Sequence, residues 1–343
     1  MHVAPARVLR RAAIAAGIAT LLLGVTAPAA YADRGKGHHL PNLVVLGDSF
    51  ASGVGNPPYH PIEDPLNPDP CKRSNSAYGP LLEAQHLVRL QAFVACSGST
   101  TEQVWGPGPN GETPPQIDSI TRNTDVVTVQ ALGNDFFVGA IERLCFSPPI
   151  PATAATPAIP AIDCSFQTPF PADTPLNGQT VGSVIGSIAL MAPGKLETLY
   201  RKIDKKLGKH SDAQVITLGY PNIIGNGGPF CPGVTTDENG IAAKMVTDLN
   251  TAIEKASRKH DYDYAPVEAV FQGHDACGGG GVDSLAIYPP LPSSFGLPAS
   301  EDTGGALHPN QLGQSLYAAA VAKQLDDNDH HSYDNENDDG DDE

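Results

Sequence analysis

Short apolar runs rich in β-branched residues recur along the chain, at Asn42–Leu46, Leu90–Ala95, Asp125–Ala131, Gln214–Leu218 and Tyr264–Phe271. Runs of this length without sustained alternation suit strands buried on both faces. Between them, apolar residues fall three or four apart. Leu196, Leu199, Ile203 and Leu207 share one face of a predicted helix, and Ile241, Met245, Leu249 and Ile253 share one face of another. A last helix is predicted to open at Pro309, a residue suited to a first helical turn, and to carry Leu312, Leu316, Ala320 and Leu325 inward. Strand alternating with helix predicts a parallel sheet covered on both faces. The spaces between these elements call for long loops. One is a Pro/Ala-rich insertion at about residues 145–175, bracketed by Cys145 and Cys164 and too poor in large apolar residues for a core of its own. Another runs from Gly278 to His308.

The two ends change the picture of where the chain works. Arg7, Arg10 and Arg11 precede an apolar stretch from Ala12 to Val25, followed by Ala30-Tyr31-Ala32. That is the pattern of a secretory signal peptide over residues 1–32, with an apolar stretch too short to span a bilayer. Residues 33–325 are then the expected folded body. The stretch 326–343 carries ten acidic side chains and no Lys or Arg, so it is expected to stay disordered. The formal net charge is −17, which excludes nucleic acid as a partner. With no membrane-spanning segment, the expectation is a secreted, extracellular monomer.

Six cysteines, at 71, 96, 145, 164, 231 and 277, suit three disulfides in an exported protein. Many pairings are open to six cysteines. The sequential one, Cys71–Cys96, Cys145–Cys164 and Cys231–Cys277, closes the most local loops and is the one expected. Neither a C-x2-C nor an H-E-x-x-H spacing occurs, so no metal site is expected.

Candidate chemistry gathers where the apolar runs end. The first breaks into Gly47-Asp48-Ser49, a place where a serine hydroxyl can stand at the edge of a sheet. The second is followed by Cys96-Ser97-Gly98-Ser99-Thr100, the third by Gly133-Asn134-Asp135, and a late loop carries Leu307-His308-Pro309-Asn310. A serine, a histidine to take its proton, and N–H donors for a developing oxyanion are what ester hydrolysis needs.

In this order, Gly47-Asp48-Ser49, Gly98, Gly133-Asn134-Asp135 and His308-Pro309-Asn310 resemble the four sequence blocks of the SGNH, or GDSL, hydrolases. The six cysteines and Phe271–Cys277 further resemble its secreted actinobacterial lipase and esterase branch. The resemblance implies an α/β fold, a flavodoxin-like three-layer α/β/α sandwich on a mainly parallel five-stranded sheet. It also implies a carboxylic ester hydrolase that needs no cofactor and takes a small-molecule or lipid ester. Ser49 would be the nucleophile and His308 the general base. The oxyanion would be held by the Ser49 N–H, the Gly98 N–H and the Asn134 amide.

One departure matters. Most members of the family carry Asp three residues before the histidine, where this chain has Gly305. The expected orienter of His308 is therefore the carbonyl of Gly305 or a neighbour, with Asp302 as a carboxylate alternative. His274 beside Asp275 is a rival base, disfavoured because neighbours on a strand face opposite ways. Trp105 is a candidate for the acyl pocket. Rival functions are a polysaccharide acetyl-esterase or a phospholipase using the same site, and a non-catalytic extracellular binding protein on a hydrolase scaffold.

Overall fold

The computed structural model describes residues 39–60, 69–145, 164–209, 211–225, 236–278, 285–288 and 305–336. The predicted signal peptide, most of the Pro/Ala-rich insertion, Cys231, Asp302 and the last seven residues of the acidic tail lie outside them.

Five strands form one parallel sheet: β1 (Asn42–Gly47), β2 (Arg89–Phe93), β3 (Val126–Gln130), β4 (Gln214–Leu218) and β5 (Asp263–Ala265), in the order β2-β1-β3-β4-β5. This is the flavodoxin-like order, whose direction of winding reverses between β1 and β3 and so opens a crevice at their carboxyl ends. The last strand corrects the sequence expectation of a run to Phe271. Pro266 follows Ala265 directly and cannot donate to a ladder, and the chain turns at Phe271–His274 instead.

Helices cover both faces. Thr128 of β3 meets the hydroxyl of Tyr78, on α2 (Tyr78–Ala84), and Gln130 meets Tyr317, on α7 (Gln311–Glu336). Thr217 of β4 pairs in register with Val129, the intervening β3 residue, and meets Ser257 of α6 (Thr236–Lys259). Because strand side chains alternate, α2 and α7 lie on one face and α6 on the other, joined there by α5 (Val181–Leu207).

The buried stripes of α5 and α6 include Leu196, Leu199, Ile203, Met245, Leu249 and Ile253, in agreement with their spacing. In α7 the expected stripe holds at Ala320 and Leu325, both buried, and is displaced in the turns before them. Gln314, Tyr317, Ala318, Val321 and Leu325 are buried, whereas Leu312 and Leu316 are only half-buried. Two polar residues take inward positions because the core offers them partners. Gln314 accepts from the Tyr78 N–H and donates to the Phe50 carbonyl, and the Tyr317 hydroxyl donates to the Gly219 carbonyl. The helix is capped by Asn310, whose side chain accepts from the Gly313 N–H, and Pro309 stands outside it, bridged to Ile287. Its span reaches Glu336, eleven residues into the acidic stretch, and no Gly or Pro interrupts it after Gly313.

Cys71–Cys96 and Cys145–Cys164 are bonded, and Cys277 is also in a disulfide, its expected partner Cys231 lying outside the described residues. No helix among the described residues is long and apolar enough to cross a membrane.

Candidate active site

The buried strand β1 delivers Ser49 to the crevice through a turn that requires glycine. Gly47 has φ +145°, and a Cβ there would run into the Gln130 carbonyl of β3. Without it, β1 closes on β3 so that the Asp48 N–H donates to the Gln130 oxygen at 2.9 Å. The Gln116 side chain holds both polar groups of Gly47, accepting from its N–H at 2.8 Å and donating to its carbonyl at 3.0 Å, and also donates to the Ser99 hydroxyl at 3.0 Å.

Asp48 then caps the single turn α1 (Ser49–Ser52), its carboxylate accepting from the Phe50 N–H at 3.0 Å. The buried Tyr220 hydroxyl donates to the other carboxylate oxygen at 2.6 Å and accepts from the Gly133 N–H at 3.2 Å. Burial pushes the Asp48 carboxyl up to about 7, against the lowering pull of Tyr220 and main-chain N–H groups. Tyr220 is itself raised well above the ordinary phenol by burial and by the adjacent Asp48 charge. The phenol therefore keeps its proton and acts as the donor.

His308 reaches the same point from the far end of the chain. Its backbone is fixed by a two-way exchange with Tyr288, the Leu307 N–H donating to Tyr288 and the Tyr288 N–H donating to His308, both at 2.9 Å. The imidazole Nε2 lies 2.8 Å from Ser49 Oγ, and the ring centre is 5.1 Å from that of Phe50. Nδ1 faces the Ala306 carbonyl at 3.1 Å. The expected Gly305 carbonyl accepts instead from the His308 main-chain N–H at 3.0 Å, so the position facing the ring is one residue later. Asp302 lies outside the described residues.

Gly98 adopts φ +87°, a conformation that favours glycine, and Asn134 opens from the single turn Gly133–Phe136 after β3. The Asn134 amide donates one N–H to the Ser99 carbonyl at 3.1 Å, which fixes its plane beside Gly98. Asp135 anchors this turn from below, accepting from the Thr101 N–H at 2.8 Å and Thr101 hydroxyl at 2.9 Å and pairing with Lys195 at 3.0 Å. Ser49, Gly98, Asn134 and His308 all line one cleft of about 540 Å³. Apolar residues in its lining are Phe137, Val138 and Ala140 around the start of α4 (Val138–Cys145), with Ile223, Val246 and Leu249, and Lys72, Gln103 and Glu142 line it as well.

Two other candidates stand elsewhere. Trp105 does not line this cleft; it ends α3 (Thr101–Trp105) with the Lys202 ammonium 4.7 Å above its ring. His274 is likewise outside the lining and sits in a turn, so the strand geometry invoked for it does not apply. Tyr220 and Gln116 were not singled out from the sequence. Tyr220 follows Leu218-Gly219 at the end of β4, so its place at the carboxyl edge was the available signal, whereas nothing marks Gln116.

A serine against an imidazole at the carboxyl edge of a 2-1-3-4-5 parallel sheet defines the class of hydrolases that carry their nucleophile on a flavodoxin-like fold. Residues 45–316 match the model of the GDSL-like Lipase/Acylhydrolase family, and the chain belongs to that family. It is 27% identical over 274 residues to a lipase of Streptomyces rimosus, covering 80% of this chain and 82% of that one. It is 27% identical over 302 residues to Lipase 1 of Streptomyces coelicolor, covering 88% and 91%. The fold matches the crystal structure of the extracellular lipase from S. rimosus with TM-score 0.60, 24% identity and coverage of 82% and 99%. It matches phospholipase A1 from Streptomyces albidoflavus with TM-score 0.58, 24% identity and coverage of 83% and 99%. The chain is a carboxylic ester hydrolase of the lipase/esterase type.

Proposed function

We propose that the chain is a secreted lipase or esterase in which Ser49 and His308 form a catalytic dyad. Ser49 Oγ attacks the ester carbonyl carbon while His308 Nε2 takes its proton. The carbonyl oxygen, now negative, is held by the Ser49 N–H, the Gly98 N–H and the Asn134 amide. Collapse expels the alcohol, which receives the proton from His308 and leaves an acyl-enzyme on Ser49. Water, deprotonated by His308, attacks the acyl carbon; the bond from that carbon to Ser49 Oγ breaks, Ser49 takes the proton back from His308, and the acid is released. The Ala306 carbonyl opposite Nδ1 holds the tautomer that leaves Nε2 free to accept. A carbonyl adds no negative charge, so it stabilises the imidazolium less than a carboxylate does.

The reading rests on the 2.8 Å contact between His308 Nε2 and Ser49 Oγ in a cleft that Phe137, Val138, Ile223, Val246 and Leu249 also line. Those apolar side chains favour an acyl chain over an acetyl group. Secretion is supported by the N-terminal pattern of residues 1–32 and by the disulfides. A fluorophosphonate probe is expected to label the protein once, at Ser49. Ser49→Ala should abolish labelling and lower turnover by at least about ten-thousand-fold. Across esters from acetyl to long chains, the rate should rise beyond acetyl. Persistent labelling of Ser49→Ala, or a preference for acetyl, would refute the reading.

A further inference from the structure

Where β1 and β2 part, a side chain takes the place of a strand. Val45 and Gly47 turn their carbonyls toward the chain of β2, accepting from the Val94 N–H at 3.1 Å and the Cys96 N–H at 3.0 Å. The strand itself ends at Phe93, and beyond Cys96 the chain bends through Gly98, at φ +87°, lining the cleft with Ser97 and Gly98. On that side the Gly47 N–H donates to the Gln116 side chain at 2.8 Å. Gln116 opens the single turn Gln116–Ser119, lies 69 residues further along the chain, and is buried.

A primary amide offers two N–H donors and one carbonyl. Gln116 uses all of them. Its Oε1 accepts from the Gly47 N–H, and its Nε2 donates to the Gly47 carbonyl and to the Ser99 hydroxyl, both at 3.0 Å. Two bonds to one peptide group fix the plane of the amide, much as a neighbouring strand would, and aim the remaining N–H at Ser99. That residue is fully buried and bonded through its main chain as well. Its N–H donates to the Cys96 carbonyl at 3.1 Å, and its carbonyl accepts from the Asn134 amide at 3.1 Å. Gly47 stands two residues before Ser49, and Ser99 directly follows Gly98. One amide therefore spans the turn of the nucleophile and the loop that carries two oxyanion donors, Gly98 by sequence and Asn134 by its bond to Ser99.

We propose that Gln116 is a positioning residue for hydrolysis, its amide setting the distance from Ser49 to the Gly98 and Asn134 donors. This deepens the reading above and rests on its assignment of Ser49, Gly98 and Asn134. Neither Gln116 nor Ser99 lines the cleft, so both act through the two turns. An oxyanion donor works within about 2.7–3.1 Å of the oxygen that becomes negative, and a displacement of about 1 Å costs about a hundredfold in rate. Binding of the ester before reaction does not draw on that distance. Two other links join the same turns, the Cys96 N–H to Gly47 and the Tyr220 hydroxyl between Asp48 and Gly133, so loss of Gln116 should loosen the site and not dismantle it.

The test compares Gln116→Met, which removes all three bonds at similar side-chain length, with Ser99→Ala, which removes only the bond to the Gly98 loop. kcat and KM are measured on a water-soluble ester, and competent molecules are counted by end-point labelling with a fluorophosphonate, so that an unfolded fraction does not enter. Gln116→Met should lower kcat by about a hundredfold and Ser99→Ala by about tenfold, with KM within about twofold of the parent in both. The double variant should be no slower than Gln116→Met, because the bond that Ser99→Ala deletes is already gone. Asp118→Asn, on the same turn but exposed and paired with Lys206, should match the parent. A Gln116→Met enzyme with the parent's kcat per labelled molecule would overturn the proposal. So would a change confined to KM, or a double variant about a thousandfold slower than the parent. If Gln116→Met does not fold, Ser99→Ala decides, and a parental kcat there overturns the proposal. A parent that resists the fluorophosphonate and cleaves no ester would sink the hydrolase reading and this one with it; a parent that does both while the variants keep its kcat would sink this one alone.

Discussion

Removing one hydroxyl, by Tyr220→Phe, probes how the nucleophile turn is held. In the parent this hydroxyl donates to Asp48 at 2.6 Å and accepts from the Gly133 N–H at 3.2 Å, all three groups being buried. Asp48 titrates at about 7 in the fold against 3.8 for an ordinary aspartate. Between those values the native state holds a proton that the unfolded chain has lost. The contribution of Asp48 to stability is thus full below 3.8 and is lost as pH rises through 7. The Tyr220 hydrogen bond favours the carboxylate, so losing it moves the carboxyl further up and deepens the loss above pH 7. A hydrogen bond to a charged group is worth about 1.5–3 kcal/mol, against about 1 kcal/mol for a neutral pair. The orphaned Gly133 N–H adds about 1–3 kcal/mol at any pH. Tyr220→Phe should therefore destabilise at pH 5 and destabilise by about 1–2 kcal/mol more at pH 8. Guanidinium unfolding midpoints of both proteins at the two pH values measure this, and other titrating groups cancel in the comparison. Because Gly133 precedes Asn134, turnover should drop by about tenfold with KM little changed. A stability difference that is the same at pH 5 and pH 8 would refute the assignment of the proton to Tyr220 and of the charge to Asp48.

Two further outcomes bear on the site. Asp302→Asn should keep turnover within about threefold of the parent, since a main-chain carbonyl faces His308 Nδ1; a loss of several hundredfold would assign the orienting role to the carboxylate. Cys71→Ser/Cys96→Ser removes the bond that pins the segment two residues before Gly98, so activity should fall by about a hundredfold at temperatures where circular dichroism is still native. Simultaneous loss of both signals would mean the bridge holds the fold and not the donor.

The sheet was legible because four of its strands are short apolar runs with turn residues at their ends, and three of the four family blocks follow the first three of them. The fifth strand was overextended because apolar content continues past Ala265 while the ladder stops at Pro266. The first half of the α7 stripe was misplaced for a related reason. Periodicity counts leucines, but Gln314 and Tyr317 are drawn inward by partners 236 and 187 residues away. Ser49 and His308 could be named from their blocks, yet Tyr220 and Gln116 could not, since their importance lies in bonds to Asp48 and Gly47 across 172 and 69 residues. Local sequence carries what a residue is; it does not carry what the fold places beside it.

The partner that faces His308 Nδ1 is the carbonyl of Ala306, and every amino acid has such a carbonyl. No side-chain replacement at 306 deletes it, so an alanine scan would pass in silence over the contact proposed above to orient the base. The site can drift in sequence at that position without losing the contact, provided the path of the loop from Gly305 to Asn310 is kept. What selection has to preserve there is a route of the chain and not a letter. On the dyad proposed above, a search that demands an acidic residue before the histidine would discard such a chain for want of a contact that the main chain makes.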